Sequence, residues 1–343
     1  MEYEILKYQY ANKDIDVIVM QNMHIKVVVS SLGCTIISIF TNDKYGNNDD
    51  VILGFDELDT YLQQDKYIGA IVGRCAGRIK NATFTLNEKE YHLAKNNAGN
   101  TLHGGNVGFN QKIFTYAMLE DGIDFHYLSK DGEENFPGNL DVHIKYRLVD
   151  NTLIAEYVAT TDADTIVNLT NHMYFNLQGK GSVLDHELMI DASNIICSDA
   201  DGCANGVLQD VSNTPFDFRK SKRVGKDIDE ENEQLAIGSG YDHYYVFDGS
   251  ERAVVLKDPI SGRVMEVSTN QKGCQLYTAN FLDGKLKGKK NWYFKAREAL
   301  CIETQAAPNA IHTEVEPSTI LLKGNTYQAT TVYEFKIEGG EVD

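Results

Sequence analysis

The residues of this chain best suited to proton transfer are one glutamate and one histidine. Glu303 lies in the apolar run 299–305, where a carboxylate is unfavourable unless it is paired or takes part in chemistry. His172 lies in segment 167–177 among neutral polar side chains. Neither segment offers a convincing Ser, Cys or Lys nucleophile, so the two residues indicate general acid–base chemistry and not covalent catalysis. Local pattern does not show whether they meet in space.

Segment 167–177 alternates apolar and polar residues with a period of two, broken only by Asn171, which predicts a half-buried β-strand. Its polar face lacks Lys, Glu and Asp, and consists of Asn168, Thr170, His172, Tyr174 and Asn176. By contrast, the polar face of segment 140–148 carries charged residues and His143, as is typical of a solvent face. The neutral face suits either a cleft for a polyhydroxylated ligand or a buried network joining two sheets.

Two further segments combine glycine with cationic or histidine side chains. Residues 73–79 place Arg74 and Arg78 in a glycine-punctuated turn, and the Asn/Gly-rich loop 96–108 holds His103. Arginine offers a rigid fork of donors, and glycine lets backbone approach a ligand closely. The alternatives are a surface ion pair, favoured for Arg74, and a turn histidine bonded to nearby backbone, for His103.

Asp242 and Gln275 are the remaining polar candidates. Asp242 follows the flexible run 238–240 as the chain enters a predicted strand, although Asp is also a common turn and cap residue. Gln275 places an amide on another predicted strand.

Short strands separated by turns dominate the rest of the chain, so the predicted class is all-β, with two large facing antiparallel sheets. Only segments 58–64 and 225–234 have helical character, and neither alternates with strands as parallel βαβ units would. The strands are predicted at 16–20, 24–30, 34–40, 83–86, 114–120, 124–128, 140–148, 153–159, 254–257, 264–269, 275–279, 299–305, 320–323 and 327–337. We expect one domain over residues 1–343.

Composition excludes several partners. The chain has 32 Lys and Arg against 50 Asp and Glu, a net charge of −18, which disfavours nucleic acid and anionic membranes. No apolar run reaches the length of a membrane span, and the N-terminus lacks the features of a secretory signal. Because both of these features are missing, we expect a cytoplasmic protein. Six scattered cysteines without a C-x-x-C pair indicate reduced thiols, with no disulfide and no zinc site. No phosphate-binding or dinucleotide-binding glycine motif is present, so we expect no cofactor.

In their chain order, five segments resemble the aldose 1-epimerases of the galactose mutarotase family. They are residues 73–79, 102–105, 171–177, 241–243 and 302–305, and the likeness runs from about residue 33 to the C-terminal strand. The resemblance implies a galactose mutarotase-like supersandwich, a large antiparallel β-sandwich with an open sugar cleft. It also implies interconversion of the α and β anomers of aldohexoses such as galactose and glucose, without a cofactor or a metal.

By position, the resemblance makes Glu303 the general base and His172 the general acid. It assigns sugar binding to Arg78, His103, Asp242 and Gln275. One departure affects sugar preference, because members of the family often have Asn where this chain has Gly77. The expected partner is a small-molecule aldose, and the expected state is a monomer or a weak homodimer.

Four other functions remain open. A glycosidase could use Glu303 and Asp242 as its two carboxylates. A non-catalytic sugar-binding module would need the same polar cleft. An epimerase of hexose 6-phosphates would need a basic clamp, for which Arg74 and Arg78 are candidates. Finally, His103 and His172 could bind a metal with Glu303, although their sequence spacing offers no support.

Overall fold

A computed structural model describes residues 1–10, 13–313, 315 and 317–338. The first strands are β1 (Glu2–Tyr10), β2 (Lys13–Gln21), β3 (Lys26–Ser30), β4 (Ile36–Asn42), β5 (Asn48–Asp50), β6 (Ile71–Val72), β7 (Arg78–Ile79), β8 (Thr83–Leu86), β9 (Lys89–His92) and β10 (Thr101–Leu102). The central strands are β11 (Thr115–Met118), β12 (Gly122–Ser129), β13 (Leu140–Val149), β14 (Thr152–Thr161), β15 (Thr165–Ile166), β16 (Thr170–Asn171), β17 (Glu187–Ile190), β18 (Ala192–Ser198), β19 (Ala204–Asp210) and β20 (Lys222–Arg223). The last are β21 (Asp242–Phe247), β22 (Val254–Lys257), β23 (Arg263–Thr269), β24 (Gly273–Tyr277), β25 (Asp283–Lys287), β26 (Tyr293–Lys295), β27 (Cys301–Gln305), β28 (Ile320–Leu321) and β29 (Thr326–Ile337).

Helix is sparse in the described part of the chain. The α-helices are α1 (Leu58–Gln63) and α2 (Glu233–Gly238), and single 3₁₀ turns occur at Lys80–Ala82, Phe109–Gln111, Glu133–Asn135, Lys289–Asn291 and Ala310–His312. The helix predicted near 58–64 is confirmed. The one predicted over 225–234 is wrong, because α2 begins only after Asn232, whose side chain caps it by accepting bonds from two backbone N–H groups.

The largest sheet has nine antiparallel strands in the order β11-β12-β13-β14-β29-β23-β22-β17-β20. Strand β13 alternates buried and half-buried positions along its length, with apolar side chains inward and charged ones outward. This is the pattern expected when one sheet face covers a core and the other meets water. The outer face includes His143, as its neighbours in sequence predicted.

Two five-stranded sheets lie across the core from this large sheet, in the orders β1-β2-β3-β4-β5 and β19-β18-β21-β24-β27. Their inward residues belong to the same buried cluster as those of the nine-stranded sheet: Val29 of β3, Ile302 of β27 and Ile144 of β13 all lie in it. The predicted antiparallel β-sandwich is therefore confirmed. Within the described residues, no helix has the length and apolar character needed to cross a membrane.

Segment 167–177 is not the half-buried strand that its alternation predicted. All of its residues are buried, and only Thr170–Asn171 forms a short strand, paired with β6. Its other backbone groups bond to several loops and to the residue before β27; His172 N–H, for example, donates to Ala70 O, and Phe175 exchanges bonds with Leu300. A segment enclosed on all sides has no solvent face, so a period of two does not describe its burial.

Candidate active site

A cleft of about 340 Å³ opens at the sheet that ends in β27. All six residues assigned to the site from the sequence line it: Arg78, His103, His172, Asp242, Gln275 and Glu303. The volume falls within the range of small-molecule sites, which is roughly 300–1,000 Å³.

Strand register places three of these side chains on one face of the sheet. Gln275 of β24 lies directly opposite Glu303 of β27 and opposite Tyr244 of β21. Directly opposed residues share a face, and alternate residues along a strand do so too, so Asp242 and Gln305 also face the cleft. The intervening residues face the core.

The proposed acid and base meet at the bottom of the cleft. His172 Nε2 lies 3.6 Å from Glu303 Oε1, and the side chains are only 6% and 3% exposed. On the other side of the imidazole, Cys301 Sγ lies 3.5 Å from His172 Nδ1. Burial raises the pKa of the Cys301 thiol well above its usual value, so the sulfur keeps its proton and is able to donate it to Nδ1. In the tautomer that accepts this bond, a neutral His172 carries its own proton on Nε2, facing Glu303.

Burial moves the pKa values of the two groups in opposite directions. It raises the pKa of Glu303 well above the usual value, aided by the charge of Asp242 and opposed by Arg78. It lowers the pKa of His172 to about 4. Desolvation disfavours both charged forms, so burial favours a protonated glutamate beside a neutral imidazole.

His103 is held by an exchange of hydrogen bonds with one glycine. Gly77 N–H donates to His103 Nδ1 at 3.2 Å, and His103 N–H donates to Gly77 O at 3.1 Å. Burial lowers the pKa of His103 well below its usual value, and the nearby His172 and Arg78 act in the same direction. The turn interpretation of His103 is thus correct for its backbone bonds, while its ring also lines the cleft.

Arg78 and Asp242 are positioned by neutral partners. Arg78 donates to Asn97 Oδ1 at 2.9 Å and to Gly202 O at 3.1 Å. Asp242 accepts a 2.8 Å bond from the Gln275 amide, and burial raises its pKa, opposed by Arg78 and by that bond.

Several acceptors in the cleft have no protein partner. Among the described residues, Glu303 Oε2, Gln275 Oε1 and Gln305 Oε1 are buried and accept no hydrogen bond. A buried acceptor without a donor is unfavourable, so this lining suits a ligand rich in hydroxyl donors.

Arg74 does not belong to this site, and the surface ion pair favoured for it is wrong. The residue is buried, and its guanidinium donates to Ser129 Oγ and to three backbone carbonyl oxygens, of Ser129, Lys130 and Pro137. Burial lowers its pKa to about 10. Arg74 therefore ties its loop to the neighbouring chain segment.

The polar side chains of segment 167–177 fulfil both roles considered for them: some form a buried network and others line the cleft. Asn168, Asn171 and Asn176 donate to backbone carbonyls of other segments and form a buried network. His172 and Tyr174 line the cleft.

Sequence reasoning missed Tyr67 and Asn97. The Tyr67 ring centroid lies 4.6 Å from that of His103, and the backbone of Tyr67 has φ +55°. Asn97 orients Arg78 from within the long Asn/Gly loop. Neither residue lies in a pattern with periodicity, so only the glycine and asparagine content of that loop hinted at Asn97.

The metal alternative also finds its residues together. Donor atoms of His103, His172 and Glu303 all lie within 4.8 Å of one another. Two imidazoles and a carboxylate are zinc-type ligands, so the three residues that suit acid–base chemistry also form a possible metal-binding set.

Comparison with known proteins gives one consistent answer. The aldose 1-epimerase family model matches residues 16–334. The galactose mutarotase of Bos taurus is 42% identical over 323 residues, 93% of each chain, and the aldose 1-epimerase of Escherichia coli is 31% identical over 92% of this chain and 94% of its own. The solved structure of an aldose epimerase homologue from C. elegans superimposes with a TM-score of 0.89 at 28% identity, covering 98% of this chain and 100% of the other.

Proposed function

The chain belongs to the aldose 1-epimerase family, and from this membership we propose that it interconverts the α and β anomers of aldohexoses such as galactose and glucose in the cleft described above. The observation that carries the proposal is the 3.6 Å contact between His172 Nε2 and Glu303 Oε1 inside a cleft with unpaired acceptors. We assign general base chemistry to Glu303 and general acid chemistry to His172.

In this scheme Glu303 accepts the proton of the anomeric O1 hydroxyl while protonated His172 donates to the ring oxygen. The C1–ring oxygen bond breaks, and the resulting aldehyde rotates about the C1–C2 bond. Closure of the ring runs both proton transfers in reverse. Each well-placed acid or base contributes roughly 10²- to 10⁴-fold in rate.

The pair holds one proton in total before and after ring opening, although not the same one. At the start it resides on His172, which gives it to the ring oxygen; afterwards Glu303 carries the proton taken from O1, and His172 is neutral. The directions in which burial shifts the two pKa values favour the second arrangement. Sugar hydroxyls that donate to Glu303, together with the charge of Arg78, oppose this shift and stabilise the carboxylate needed at the start.

Sugar binding is assigned to the remaining polar residues. Arg78 offers donors held by Asn97 and Gly202, and Gln275 offers its unpaired Oε1. Asp242 and His103 add a carboxyl group and an imidazole to the same lining.

The alternatives have less support. Glu303 and Asp242 line one cleft, as a glycosidase would require, but the relatives compared are mutarotases and epimerases. An epimerase of hexose 6-phosphates would need a basic clamp for the phosphate. Arg74 does not serve in it, because its guanidinium donates to Ser129 Oγ and to Pro137 O.

Polarimetry tests the function directly. Freshly dissolved α-D-galactose and α-D-glucose should reach their equilibrium rotation faster with the protein than without it. Sugar binding by calorimetry without acceleration would instead indicate a binding module, and release of phenol from an aryl galactoside would indicate a glycosidase.

We further propose that the chain works as one domain, because the residues that line the cleft come from positions 65 to 308 of the sequence, and that it is a monomer or a weak homodimer. Sedimentation velocity tests this. A cytoplasmic location is supported by six cysteines that are all free, and the net charge of −18 argues against nucleic acid or anionic membranes as partners.

A further inference from the structure

Two histidines stand side by side on the outer face of the nine-stranded sheet. His126 of β12 and His143 of β13 are directly opposed in the antiparallel register, and their ring centroids are 4.8 Å apart. Their side chains are 41% and 40% exposed, and neither residue lines the sugar cleft. Mutarotation therefore leaves this pair without a role.

One carboxylate lies near both rings. His126 Nε2 is 2.6 Å from Asp141 Oδ1, and His143 Nε2 is 4.0 Å from the same oxygen. The donor atoms of the three residues all lie within 4.8 Å of one another. Both imidazoles thus direct Nε2 toward one carboxylate oxygen on a rigid two-stranded frame.

A second carboxylate orients one of the rings. His143 Nδ1 is 3.0 Å from Asp124 Oδ1, and Asp124 is largely buried. When Nδ1–H donates to this aspartate, the lone pair of His143 lies on Nε2, on the side of Asp141. Metal-binding histidines commonly have this arrangement, in which a carboxylate holds the nitrogen that does not bind the metal.

We propose that His126, His143 and Asp141 form a binding site for a divalent first-row transition metal ion, for which Zn²⁺ is the probe, with Asp124 as the positioning residue. Zinc binds imidazole nitrogen and carboxylate oxygen at about 2.0–2.2 Å, so its ligand atoms in a tetrahedral site are about 3.3 Å apart. The distances of 2.6 and 4.0 Å to Asp141 each need to change by less than about 1 Å, which side-chain rotation on an exposed surface allows. Water completes the coordination.

The charge of the molecule favours a cation at this position. The chain carries a net charge of −18, and both carboxylates adjoin the site. Lys145, on the same face of β13, lies opposite Asp124 in the register.

The competing interpretation is a pair of ordinary His–Asp hydrogen bonds with no ligand.

Calorimetric titration of the metal-stripped protein with ZnCl₂ distinguishes these interpretations. Saturating galactose is present throughout to occupy the cleft residues His103, His172 and Glu303. We expect one zinc equivalent to bind, and His126→Asn or His143→Asn to weaken its affinity at least ~100-fold. The matched control His24→Asn, at another exposed histidine, should leave the affinity unchanged.

Asp124→Asn provides the sharper test because it changes none of the three ligands. It should weaken zinc binding by roughly 10- to 100-fold, as loss of an orienting carboxylate does. All the variants at this site should keep mutarotase activity. No heat of binding in the wild-type protein, or zinc affinity that survives both histidine changes, would overturn the proposal.

Discussion

His172 Nε2 lies 3.6 Å from Glu303 Oε1, and Cys301 contacts the opposite nitrogen of the same imidazole at 3.5 Å. The imidazole is thereby held between a thiol and a carboxyl group. This arrangement gives Nε2 a defined direction and leaves Glu303 Oε2 unpaired toward the cleft. The predictions below test whether the pair works as one proton-transfer unit.

Glu303→Gln should separate sugar binding from turnover. The amide retains the shape and can hydrogen-bond a sugar hydroxyl, but it does not accept the O1 proton at neutral pH. We expect kcat to fall at least ~10²-fold, about 2.7 kcal/mol of barrier, with little change in sugar affinity. Polarimetry and calorimetry on the same sample measure both quantities.

The melting temperature of Glu303→Gln serves as the folding control. It should equal or exceed that of the wild type, because the substitution removes a carboxyl group whose pKa burial raises. Since a raised carboxyl pKa lowers stability as pH rises above the unfolded value, the difference should grow from pH 5 to pH 8. Undiminished turnover in a folded variant would eliminate Glu303 as the base.

His172 and His143 should differ sharply in their effect on catalysis. His172→Asn should lower kcat by roughly 10²- to 10⁴-fold, because it removes the group proposed to protonate the ring oxygen. His143→Asn should leave kcat unchanged, because His143 lies half-exposed on the outer face of the large sheet. Equal losses in the two variants, measured by polarimetry with matched melting curves, would contradict the assignment.

The pH profile of kcat/KM should be bell-shaped. Below about pH 4 His172 gains a proton while Glu303 is already protonated, so no base remains and the rate falls. The alkaline limb begins where the pair loses its only proton, at a pH well above the usual pKa of a glutamate. Melting curves at each pH identify losses of rate that are caused by unfolding. A rate that stays constant through pH 4 in folded protein would refute the proposal that His172 and Glu303 together hold one proton.

Chelation should not abolish mutarotation. Acid–base chemistry by Glu303 and His172 needs no Lewis acid, so dialysis against EDTA should leave the polarimetric rate unchanged. Loss of the rate on dialysis and its return with a divalent ion would favour the metal alternative at His103, His172 and Glu303.

Gly77→Asn, the change that the family resemblance suggests, should destabilise this protein. A Cβ added at Gly77 would lie 2.7 Å from Pro308 Cβ, and the backbone has φ +73°. We expect a loss of about 1–3 kcal/mol in the free energy of unfolding, and weaker positioning of His103. Urea denaturation of Gly77→Asn, Pro308→Gly and the double variant gives the free energy of unfolding of each. The double variant should lose less stability than the sum of the two single losses, and additive losses would exclude this contact as the cause.

Much of the site followed from local pattern. In β27 the alternation predicted Glu303 on the face opposite to Leu300 and Ile302, and the register brings Gln275 of β24, predicted only to lie on a strand, directly beside it. The apolar surroundings of Glu303 correctly indicated a buried carboxylate, because a short apolar run is typical of a strand enclosed on both faces, and all five residues of β27 are buried. The five motifs in family order supplied the roles still to be tested.

Tertiary structure decided what local pattern left ambiguous. Arg74 and Arg78 come from one short turn, yet the first is buried against backbone carbonyls and the second lines the cleft. The polar residues of 167–177 likewise divide between a buried network and the site. Those outcomes depend on which loops surround the segment, and such contacts join residues far apart in sequence, so alternation and composition carry no information about them.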